Sequence, residues 1–95
     1  MAMTESIESE FLQFLADNKY FSVRELPDGT YAALYKLMFT TAICTGLSFS
    51  GWAYRYCFDD PELAAQELAK LENMDDEPKG FIARRWGTRA LRLAL

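Results

Sequence analysis

Ninety-five residues, 51% of them apolar and 15% aromatic, suffice for one domain with a real core, and exclude a disordered chain or a second core. Two cysteines are too few for a disulfide framework. The lack of any histidine excludes Ser-His and Cys-His catalytic arrangements and the usual zinc sites. The formal charge of −4 is unevenly placed: residues 1–78 hold all 14 acids and five bases, whereas residues 79–95 hold five bases and no acid.

The first ten residues are acidic and lack the basic-then-apolar order of a signal peptide, so a reduced cytoplasmic setting is expected. Thr4 is placed to cap a first helix, and Ile7, Phe11, Phe14 and Leu15 fall on one face of it. Asp17-Asn18-Lys19 ends the helix, with Asn18 suited to a left-handed terminal conformation.

Tyr20 to Leu26 has strand composition, and Pro27-Asp28-Gly29-Thr30 is a tight turn. Tyr31 opens a second strand, and from Leu37 to Tyr54 the chain runs eighteen residues without a charge. Thr40, Thr41, Ile43 and Thr45 favour a strand continuing through this run, though a buried helix over residues 32–41 has the same apolar pattern. Threonines, serines and glycines interrupt the run, which argues against a membrane span. Gly46 to Gly51 reverses the chain, and a third strand follows with Trp52, Tyr54, Tyr56 and Phe58 on one face and Ala53, Arg55 and Cys57 on the other.

Asp59-Asp60-Pro61-Glu62 starts a second helix: an Asp cap, Pro in the first turn and an acid beside the positive end. Leu63, Ala64, Leu68 and Leu71 form its inward stripe, while Gln66, Glu67, Lys70 and Glu72 face water. An acidic loop spans Asn73 to Pro78, and a short extra strand is expected near residues 80–84. The order predicts an α+β fold, α-β-β-β-α: a three-stranded antiparallel meander with both helices on one face. Residues 1–83 form the domain and residues 84–95 a basic C-terminal tail.

No metal or cofactor site is expected. Cys44 and Cys57 read as buried hydrophobes, Asp59-Asp60 as a helix cap, and Asp75-Asp76-Glu77 as a solvated loop without the spaced oxygens of a calcium site. Without a phosphate loop or a nucleophile with its base, the chain is expected not to be an enzyme. Tyr31, Tyr35, Trp52, Tyr54, Arg55 and Trp86 are the side chains suited to anchoring a protein interface. Arg84, Arg85, Arg89 and Arg92 are candidate anion contacts, although the acidic body disfavours nucleic acid.

Three segments carry a resemblance: Leu37-Met38-Phe39-Thr40-Thr41-Ala42-Ile43, Arg55-Tyr56-Cys57-Phe58 and Glu77-Pro78-Lys79-Gly80-Phe81-Ile82. Together they resemble a group of small uncharacterised proteins of tailed bacteriophages and prophages. Lys70 to Met74 stands where that group has Trp-Asp-Gly, Phe81 replaces a Trp, and the His-rich ending is missing. The resemblance implies a phage or prophage origin and an intracellular accessory role, with no activity or site residues to transfer. The expected function is therefore binding to a host or phage protein in the bacterial cytoplasm. A homodimer, or weak nucleic-acid contact through the basic tail, is the alternative.

Overall fold

The uncharged run does not continue as one strand. In the computed structural model, which describes residues 2–87 with side chains from Ile7 onward, it opens with a turn at residues 37–40 that cuts it off from the strand beginning at Tyr31. Among the described residues the elements are α1 (Ala2–Asp17), β1 (Tyr20–Glu25), β2 (Tyr31–Lys36), β3 (Thr41–Thr45), β4 (Tyr54–Phe58), α2 (Pro61–Lys70) and β5 (Ala83–Trp86). The fold is α+β, and the strands form one antiparallel sheet in the order β1-β2-β3-β4-β5. The expected meander is present but has five strands. The single long strand from Tyr31 to Thr45 is two strands paired with each other, Lys36 opposite Thr41 and Ala32 opposite Thr45.

β3 is buried at all five positions, and its alternation sorts the core into two layers. Ile43 joins Ala32, Leu34, Tyr56, Phe58, Ala64 and Leu68 under α2. Ala42 and Cys44 join Ala33, Cys57, Phe11 and Leu15 under α1. The helices therefore lie on opposite faces, not together on one face as the sequence suggested. Each shields one side of a central strand that is apolar on both. Trp52 follows the same correction: it precedes β4, so the strand's alternation does not fix it, and it packs in the α1 layer while Tyr54 and Tyr56 lie in the α2 layer.

Local signals account for most element boundaries. α1 begins at Ala2, ahead of Thr4, and at its end Lys19 rather than Asn18 takes the positive φ of 74°. The Asn18 side-chain Nδ2 instead donates to the Phe14 carbonyl at 2.7 Å. Gly29, with φ 87°, forms the turn that Pro27 and Asp28 announce. Asp60 caps α2 by accepting from the Glu62 amide at 2.9 Å, with Pro61 as the first helical residue. The extra strand lies at Ala83–Trp86, a few residues beyond its expected place, and takes residues 84–86 of the expected tail into the sheet. The helix or frayed tail expected from Trp86 onward falls, beyond Gly87, outside the described residues.

Two polar anchors went unnoticed in the sequence. The register of β1 shifts between Phe21 and Arg24, with Ser22 at φ 53°. This bulge turns Arg24 toward α2, where its Nη1 donates to the carbonyls of Leu68 (2.8 Å) and Leu71 (2.7 Å). A cation thus meets the negative end of the helix, where terminal carbonyls lack helical partners. Glu67, expected to face water, is buried; it accepts from the Lys79 amide at 2.8 Å and from Lys70 Nζ at 3.0 Å, tying the 71–82 loop to α2. The acidic loop also has structural duties. Asp76 accepts from the amides of Glu72 and Asn73, and Asp28 accepts from the amide of Met74 across the fold.

Arg24→Met should cost about 1.5–3 kcal/mol in urea denaturation, because two charge-assisted bonds to terminal carbonyls are lost. Arg84→Met, which breaks the exposed pair with Glu77, should cost about 0–1 kcal/mol.

The Lys79 amide, then Lys70, hold the Glu67 carboxyl below its ordinary value of 4.5. That contribution to stability is complete above the unfolded-state value and is lost as pH falls through the depressed folded one. Denaturation midpoints should therefore fall more between pH 7 and pH 3 in the wild type than in Glu67→Gln. Parallel falls would show that Glu67 carries no such linkage.

Candidate functional site

Arg55 directly follows the uncharged run, and β4 directs it into the α1 layer. Its guanidinium crosses β3 to reach β2, with Cζ 4.5 Å from the Trp52 ring and 5.1 Å from the Tyr35 ring. Such contacts contribute about 0.5–2 kcal/mol each, more where water is excluded. Tyr20 tilts against Tyr35 at 5.2 Å and closes the cluster from β1. Arg55 is half-buried, its Nε is sealed from water, and that atom has no hydrogen-bond partner among the described residues. Beside it opens a pocket of about 280 Å³, lined by Arg55, Tyr20, Tyr35, Asn18 and Phe14, with Ser48 to Gly51 of the β3–β4 loop as its rim.

A second concavity, of about 340 Å³ and largely apolar, lies between α1 and the same loop, with Ile7, Phe11, Tyr31 and Phe49 along it. Phe49 stands 5.0 Å from both Phe11 and Phe14, so the loop leans on the helix. Tyr31 donates to Glu8 at 2.6 Å, and that bond, followed by burial, pushes the Tyr31 hydroxyl up to about 12. The third feature is the β2–β3 turn. The Leu37 amide donates to the Thr40 carbonyl at 2.8 Å, which leaves Met38 and Phe39 at the tip, each 84% exposed.

The structure brings Tyr35, Trp52 and Arg55 of the expected interface set into one cluster and leaves the others apart. Tyr31 belongs to the apolar groove. Tyr54 lies on the α2 side, stacked on Tyr56 at 6.4 Å, and Trp86 pairs with it in register while remaining exposed. The candidate anion contacts also divide. Arg84 bonds Glu77 at 2.7 Å and lies 5.5 Å from the Trp86 ring on the α2 side, whereas Arg85 faces the α1 side opposite Arg55 in register. Arg89 and Arg92 lie outside the described residues. The sequence reading missed Met38 and Phe39, because it placed them inside a strand.

Cys44 and Cys57 are buried and free, Cys44 directly opposite Arg55 across the β3–β4 pair. Burial pushes the Cys44 thiol up to about 11, against the lowering influence of Arg55. Among the described residues no group of three Cys, Asp or Glu could hold a metal ion. No described helix is long and apolar enough to cross a membrane.

A thiol this far above its usual value exposes little thiolate at pH 8. Labelling of Cys44 by a disulfide reagent should be at least about a hundredfold slower in the native protein than in denaturant. Rapid native labelling would show that the α1 layer opens readily. Comparison with protein-family models, with curated proteins and with solved structures yields no match to this chain.

Proposed function

We propose that this chain is a non-enzymatic binding module, an accessory protein of phage or prophage type that acts in the bacterial cytoplasm by docking on another protein. The exposure of Met38 and Phe39 carries the reading. Large apolar side chains scattered singly over a surface are ordinary, but two adjacent ones at 84% exposure on a turn are the least covered in the described chain. Met and Phe are enriched at the centres of interfaces, where each buries much apolar area. The tip is also firmly presented: β2 and β3 pair at five successive positions, and every residue of β3 behind it is buried. A rigid apolar projection loses little entropy on docking. The phage assignment rests on the resemblance of three segments, the first of which, Leu37 to Ile43, contains the tip.

A second copy as the partner is the alternative, favoured by β5. Ala83–Trp86 is exposed along its whole length and is one of the two outer strands of the sheet, so among the described residues its edge is open to pairing.

The double substitution Met38→Ser, Phe39→Ser tests the main reading. Because both side chains are exposed, stability should stay within about 0.5 kcal/mol of the wild type. The wild-type protein should retain a discrete partner from bacterial lysate that the variant loses. Equal capture by both would overturn the assignment. A dimer mass by light scattering, unchanged in the variant, would favour β5 pairing.

A further inference from the structure

Two other arginines among the described residues have strong acceptors. Arg24 bonds two helix carbonyls, and Arg84 bonds Glu77. Arg55 is more enclosed than Arg84 and yet has no carboxylate partner among the described residues, although the chain contains 14 acids. Withdrawing a cation from water without an opposing charge is costly, and its neutral neighbours, the two flanking rings with the Tyr20 hydroxyl and the Cys44 thiol, offset only part of that cost. A half-buried guanidinium held between rings, at the wall of an open pocket, has its orientation fixed in advance. What the site lacks is an anion.

We propose that the Arg55 pocket binds a small monocarboxylate, its carboxylate on the guanidinium and its ring or short apolar chain against Phe14 and Phe49. Several observations select this class. A carboxylate matches the planar fork of arginine, and the combination gives short, paired bonds. The pocket wall contains one cation among the described residues. Arg85, although opposite Arg55 in register, lies toward β5, away from the β2 side to which Arg55 extends. A dianion such as phosphate would need a second cation, and it would be repelled more than a monoanion by a chain of net charge −4. The volume of about 280 Å³ is just below the range of drug-sized sites, which suits a ligand the size of a single substituted ring. Hydroxyls of Tyr20, Tyr35 and Ser50 at the wall and rim are able to orient the second carboxylate oxygen. Met38 and Phe39 do not line this pocket, so the site stands or falls independently of the docking tip.

Amide NMR titration of the full chain at low ionic strength provides the test, with benzoate, benzamide and inorganic phosphate as probes. Benzoate should give saturable shifts centred on Tyr35, Ser50 and Arg55. Benzamide, which keeps the ring but not the charge, and phosphate should each bind at least about tenfold more weakly. Arg55→Gln should weaken benzoate by at least about tenfold, and Tyr35→Phe, which keeps the ring beside the guanidinium, by less. Equal binding of benzoate and benzamide would reduce the site to an apolar hollow and overturn the proposal. Tighter binding of phosphate, or no saturable benzoate shift, would overturn it as well. If Arg55→Gln does not fold, the benzoate–benzamide comparison on the wild type still decides.

Discussion

Burial of β3 on both faces is the constraint from which the remaining arrangement follows. Thr41 to Thr45 has no solvent-facing side, so each face needs its own cover, and one helix cannot supply both. α2 covers the Ile43 side and α1 the Cys44 side. The arrangement has a cost: Thr45 is fully buried and its hydroxyl has no partner among the described residues, a penalty of about 1–3 kcal/mol. Burial of Phe58, Leu15 and Ile43, at about 1.5–3 kcal/mol each, exceeds it.

The same constraint arranges the surfaces. Because β3 pairs antiparallel with both its chain neighbours, the chain must reverse at each of its ends, and both reversals reach the surface. At one end the chain turns through Met38 and Phe39. At the other, the β3–β4 loop folds back over α1 and brings Ser48, Phe49 and Ser50 to the rim of the Arg55 pocket. β4 then lays Arg55 across β3, where the small side chains of Ala42 and Cys44 leave room for a guanidinium among rings. The α2 side is different in kind. There Arg24, Glu67, Asp28 and Asp76 are all engaged in holding helix, loop and sheet together, and none is left free for a ligand.

Legibility in the sequence varied with how local the cause was. Asp60-Pro61 and Pro27-Asp28-Gly29 carry their own chemistry, so helix start and turn were readable. The turn at residues 37–40 was not, because it contains no Gly, Pro, Asn or Asp and, with negative φ at Met38 and Phe39, requires none. Nor could pattern assign helices to faces: Ala32 and Leu34 look no more apolar than Ala33 and Tyr35, yet they lie in different layers. Glu67 read as a water-facing charge and Arg24 drew no notice, because their main-chain partners lie 12 to 47 residues away. Arg55 and Trp52 were singled out for composition, but their meeting with Tyr35 depends on a strand order that spacing does not encode.

Residue-resolved amide hydrogen exchange tests most directly whether a fully enclosed β3 is set off from β2 by an open turn. The account requires Ala42, Ile43 and Cys44 to exchange only through global unfolding, while Met38 and Phe39 exchange on the fast timescale of solvent-exposed amides. Uninterrupted protection from Tyr35 through Thr41 would contradict it, restoring one continuous element and removing the apolar tip on which the functional reading rests.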